Sequence, residues 1–202
     1  WEEDDFARTD AQVRAPGAES SGSGVNLSTD TYMCDVFASH MDVPDQVRAN
    51  ADAGVDLDMA ASEKVIRDLL IKADRDWMTA FFATSIWSTD TTPGVTWDNV
   101  NSTPIEDIRA RYYVMAPKGR PANTFCMGPN VYKRLQDHPD ILDRIKYTQR
   151  AIVTPDLIGA ILDVPRVFVF LGSANTGAEG AATGTYAFNA GLHALLCHAA
   201  PA

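Results

Sequence analysis

Three cysteines and four histidines are the side chains whose types could carry covalent or metal chemistry in this chain. Cys34 and His40 stand six apart in a segment that reads as a strand. Cys197 and His198 are adjacent, so in a strand they point to opposite faces. Cys126 and His138 are separated by a strand end and a helix. None of these spacings is that of a structural zinc site. A cysteine nucleophile, Cys126 or Cys197 with a histidine as its base, could be assembled only by the fold.

Paired carboxylates offer less. Glu2–Asp5 reads as a solvated run. Asp74 and Asp76 are two apart on a helix and do not share a face. Asp140 and Asp143 can be neighbours, but Arg144 follows at once, and surface ion pairing explains the group better than acid–base work. The glycines of "LGSANTGAEG" match neither phosphate-loop pattern, and no lysine is near. GxSxG and HExxH are absent. The motifs therefore point to no catalytic set, no metal and no cofactor.

The densest run of ionisable groups is "HPDILDRIKYTQRAIVTPDLIGAI", with Asp140, Asp143, Arg144, Lys146, Tyr147, Arg150 and Asp156. It reads as helix, linker, helix. Upstream, Asp58 to Ala83 carries the strongest helix signal: Ala61, Val65, Leu69, Ala73, Trp77 and Phe81 recur every four residues, with Ile66, Leu70 and Ala80 widening the stripe. Asp56 or Asp58 is the expected cap. Such a rod is roughly 39 Å long at 1.5 Å per residue.

Pro104 with Thr103 as cap, Pro129, and Pro155 with Thr154 as cap open three further helices, and His138-Pro139 ends or bends the middle one. "NTFCMG", "RVFVFLG" and "HALLCHA" read as strands, and "SANTGAEGAATGTYAFN" as a small-residue loop. Residues 1–24 are loop or extended arm, and Thr31–Met41 alternates like a strand covered on both faces. The whole is α+β with helices and strands alternating after Pro104.

A net charge of −10 on 202 residues counts against a protein that grips nucleic acid through its phosphates. Three separated cysteines fit a reducing compartment, and no apolar run is long enough to span a membrane. No basic-then-apolar signal peptide stands at the start. The start at Trp1, and a last strand with nothing after it to pair with, raise the expectation of a chain incomplete at both ends.

Two blocks carry a resemblance. "DTYMCDVFASHMDVPDQVRANADAGVDLDMAASEKVIRDLLIKADRDWMTAFF" resembles the extended loop and spine helix of tailed-bacteriophage major capsid proteins. "NTFCMGPNVYKRLQDHPDILDRIKYTQRAIVTPDLIGAILDVPRVFV" resembles their axial-domain core, and HPDILDRIKYTQ is its most specific part.

The resemblance implies the Johnson fold. It places an extended β-hairpin loop at 10–42, a peripheral domain with its spine helix (about 58–83) at 43–99, an axial domain at 100–190 and a return strand at 191–202. It implies a structural role: self-assembly, as pentamers and hexamers, into an icosahedral shell that encloses DNA without sequence-specific binding. Scaffolding, portal and decoration proteins are the further partners implied. The location implied is the virion after assembly in the host cytoplasm, with no membrane. Arg14, Glu19, Asp140, Asp143, Arg144 and Lys146 become candidate inter-subunit contacts. The alternative kept open is a small α/β enzyme with a Cys–His nucleophile pair.

Overall fold

The computed structural model describes residues 9, 11–22, 24, 29, 31–52, 54–87, 89–118, 120–147, 152–178 and 180–200. Glu2–Asp5 and Arg150, singled out above, lie outside them.

Thr31–Met41 forms no strand. The alternation is present, but no second strand among the described residues lies beside it, and an extended segment without a ladder has no backbone pairing to hold it. Its side chains stand in solvent, Val36 at 96% exposure. The expected hairpin pairing within 10–42 is likewise not formed among the described residues. That segment does contain a turn, Ala18 N–H donating to Ala15 O at 3.1 Å. Gly17 after Pro16 takes the left-handed φ of +81° that a type II turn requires at this position.

After a short helix α1 (Asp45–Ala49), the long helix α2 runs Leu57–Phe81, within two residues of the expected span. Asp56 caps it, accepting from Asp58 N–H at 3.1 Å and Met59 N–H at 3.0 Å. Arg48 ties α1 to this start through Asp45 (3.2 Å) and Asp58 (2.7 Å). Twenty-five helical residues bury a single side chain, Ala61.

Helix α3 (Pro104–Met115) opens with proline as expected, but Thr103 makes no cap bond. The Ile105 N–H points instead to Asp140 Oδ2 at 3.4 Å, from a helix 35 residues away. A sheet follows in the order β2 (Arg166–Val169), β1 (Thr124–Met127), β5 (Ala194–Cys197). Strand β1 is central and fully buried, parallel to β2 and antiparallel to β5. The final strand thus finds its partner upstream, in β1, which corrects the expectation that a partner had to come after it.

Three helices connect β1 to β2: α4 (Pro129–Gln136), α5 (Pro139–Ile145) and α6 (Pro155–Leu162). His138-Pro139 separates the first two. Thr154 caps the third, accepting from Leu157 N–H at 3.3 Å. Phe125, Met127, Val167, Val169 and Leu196 form the sheet's inward face. They pack with Ile105, Ile108, Leu135, Ile141, Ile158 and Leu162 into one core.

The segment read as a small-residue loop is in part a hairpin, β3 (Ser173–Asn175) with β4 (Tyr186–Phe188). Asn175 explains it: its Oδ1 accepts from Gly177 N–H at 3.0 Å and from Thr185 N–H at 2.9 Å, closing the connection across ten residues. A side-chain bond of that reach has no signature in a local residue pattern.

Candidate inter-subunit surface

The HPDI run builds inward before it builds outward. His138 is 4% exposed and occupies the N-cap of α5. Its Nδ1 accepts from Asp140 N–H at 3.2 Å, so the ring proton belongs on Nε2. That nitrogen lies 3.1 Å from Asn99 O and 3.0 Å from Ser102 Oγ. The ring therefore fastens the 96–102 loop to the start of α5. This role escaped sequence reading, because the partners lie 36 and 39 residues upstream.

Asp140 is half spent in the same way. Its Oδ2 lies near Ile105 N–H, and its Oδ1 accepts from Arg144 Nε at 3.4 Å. Arg144 then reaches Glu106 Oε1 at 2.5 Å. Asp140 and Arg144 thus bind α5 to α3 within the chain. Asp143 and Lys146 face solvent, Lys146 with its ammonium 5.9 Å from the Tyr147 ring centre. Arg14 and Glu19 are exposed on either side of the Gly17 turn. The six candidate contacts are not brought together: two sit on the arm, two in the α3–α5 network and two on the open face of α5 and its end.

The thiols are poorly set for nucleophilic work. Burial, with Cys197 close by, pushes the Cys126 thiol up to about 11. Burial also raises Cys197, partly offset by Arg166. Register places both on the sheet face opposite the core, diagonal to each other on β1 and β5. His138 is occupied by Asn99 and Asp140, and His198 Nδ1 lies 2.8 Å from Pro121 O. Among the described residues no cysteine is hydrogen-bonded to a histidine, the contact that activates such a nucleophile.

An apolar surface runs along α2. Met59, Ile66, Leu70, Trp77 and Phe81 follow helical spacing along α2 and are all exposed, Leu70 at 63%. They continue into an aromatic cluster at its C-terminus. There Trp77 lies 5.2 Å from Phe81 and 5.5 Å from Phe170, and Phe81 lies 6.1 Å from Trp87. The arm adds Tyr32, Met33 and Val36, and Phe37 leans on Lys72 of the helix at 5.0 Å. Monomeric proteins seldom leave contiguous apolar surface of this extent open. No described helix is long and apolar enough to cross a membrane.

No family model matches the chain. A 51-residue stretch, 25% of the chain, is 41% identical to the major capsid protein of Burkholderia phage BcepMu and spans 17% of that protein. The fold is similar to that of a phage-related protein from Bordetella bronchiseptica RB50, with a TM-score of 0.67 at 18% identity. That likeness covers 96% of this chain and 63% of the other, so the chain spans less than two thirds of either relative. The α+β architecture is thus shared with a phage-related protein, and a quarter of the sequence resembles a phage major capsid protein.

Proposed function

We propose that this chain is part of a shell-forming structural protein of a tailed phage, a major capsid subunit built on the Johnson fold. The observation that carries the reading is the 41% identity, over 51 residues, to a phage major capsid protein. The exposed apolar stripe of α2 and the uncovered arm support it, since both present surface that association would bury.

In this reading copies of the chain associate as pentamers and hexamers and close into an icosahedral shell. The arm reaches over a neighbouring subunit. Asp143, Lys146, Arg14 and Glu19 act as rim charges, which select partners and register more than they add affinity. The shell encloses DNA without reading its sequence, in keeping with a net charge of −10. It is built in the host cytoplasm with scaffolding, portal and decoration proteins as partners.

Native mass and particle shape of the full-length gene product test this directly, by mass photometry with negative-stain electron microscopy. Hollow shells, or rings of five and six, are expected. A monomer or dimer that never assembles, even at high concentration or with scaffold supplied, overturns the proposal.

A further inference from the structure

Among the described residues, Asn189 Nδ2 is the one buried side-chain polar atom without a hydrogen-bond partner. Buried amide groups are almost always paired, so an unpaired one calls for a reason. Its surroundings supply one. Asn189 N–H donates to Gly172 O at 2.9 Å, which holds the end of β4 beside the chain entering β3. A methyl group added to Gly172 would meet Asp74 Oδ2 at 2.9 Å and Asn189 Nδ2 at 3.2 Å. A carboxylate from the long helix and an unpaired amide from the hairpin therefore share the space over a residue that has no side chain.

A carboxylate oxygen is the acceptor to which an amide hydrogen bonds most strongly. Beyond the pair, towards and just past its C-terminus, α2 meets the rest of the molecule through rings. Trp77 lies 5.5 Å from Phe170, and Phe82 lies 5.5 Å from His193. Ring contacts tolerate rolling; a hydrogen bond does not. We infer that Asp74 and Asn189 are the two halves of a latch between α2 and the β3–β4 hairpin. It is open in this conformation and closes when a small movement of the helix brings the carboxylate onto the amide. Gly172 is the gap that lets them meet. Packed interfaces shift between discrete arrangements rather than deforming continuously, so one polar pair can choose between two settings of the helix. The inference rests on this geometry alone and stands whether or not the chain builds a shell.

Exchanging the two groups tests it on the full-length protein, by thermal unfolding and amide hydrogen exchange of the hairpin. Asn189→Asp sets carboxylate against carboxylate and Asp74→Asn removes the strong acceptor. Each removes the closed setting, the more stable of the two, and is expected to lower Tm by about 2–4 °C for a chain of this size and to speed exchange in 186–193. The double exchange Asp74→Asn with Asn189→Asp rebuilds the pair with its polarity reversed and is expected to recover most of both losses. Gly172→Ala fills the gap, and adding Asp74→Asn to it should then change little. Losses that simply add in the double exchange, or single variants with no effect, overturn the latch.

Discussion

His138 stands where α4 stops and α5 begins, with one ring nitrogen on Asp140 N–H and the other on Asn99 O. Removing it strips the Asp140 N–H of its cap acceptor, at about 1–3 kcal/mol, and opens a cavity where a buried ring joined two elements. His138→Ala should therefore lower unfolding free energy by about 2–4 kcal/mol in urea titrations, within the range expected for a broken buried network. His138→Asn should recover part of it, because asparagine is a good N-cap and can accept from the same N–H. A change under about 0.5 kcal/mol, the level of an ordinary surface substitution, would contradict the junction.

Cys126 makes a prediction of opposite kind. Its thiol stays protonated in the fold up to about pH 11, whereas the ordinary value is 9.0. The unfolded chain thus releases this proton first. The contribution to stability is complete below pH 9 and is lost as pH rises from 9 towards 11. Cys126→Ala should flatten that alkaline fall, measured as denaturation midpoint against pH. In the folded protein near neutral pH, Cys126 should react with thiol reagents far more slowly than exposed Cys34.

Among the elements, those whose signals are local were legible in the sequence. Asp56, Thr154 and the prolines at 104, 129, 139 and 155 act on the next few residues, and the helices start where they direct. Asp56→Ala should cost about 1 kcal/mol, and Asp56→Ser little, since serine caps as well. Elements that rest on distant partners were misread. Thr31–Met41 has the alternation of a strand, but alternation reports faces and does not supply a neighbour. The β3–β4 hairpin was read as loop because Asn175 closes it over ten residues. Gly159 had no visible purpose until α6 met β2. A methyl group there would lie 2.8 Å from Val164 O and 3.0 Å from Val167 Cγ2. Gly159→Ala should cost about 1–3 kcal/mol through overpacking, read from the shift of a urea midpoint.

For the molecule as a whole, the balance of burial is uneven. The sheet with α3 to α6 holds the core, while α2, the longest element, buries only Ala61. The apolar stripe was legible from spacing, but not how unevenly it is covered: Ala61 is buried, Val65 and Leu69 are half-buried, and Ile66 and Leu70 stand exposed. The candidate contacts were legible as charges, yet not their division between the α3–α5 network and open surface. That division needs the 38-residue jump from Glu106 to Arg144. A charge on the stripe separates stability from association. Leu70→Asp should change the unfolding free energy of the isolated chain by no more than about 0.5 kcal/mol, as at other exposed positions. The same substitution should abolish particles in electron micrographs. Normal shells from this variant would remove α2 from the interface.

The strand order carries a consequence in time. β1 lies between β2 and β5, and its antiparallel neighbour ends at Cys197, far along the chain. At roughly 5–20 residues per second, β1 waits on the order of 4–15 s after leaving the ribosome before that side can be closed. Until then its backbone donors and acceptors form an open template on a nascent chain, beside other nascent chains of the same sequence. The last stretch of the described chain thus works as a stopper. Its late arrival makes the rate of synthesis, and not only the stability of the finished fold, a determinant of how much of the protein escapes aggregation.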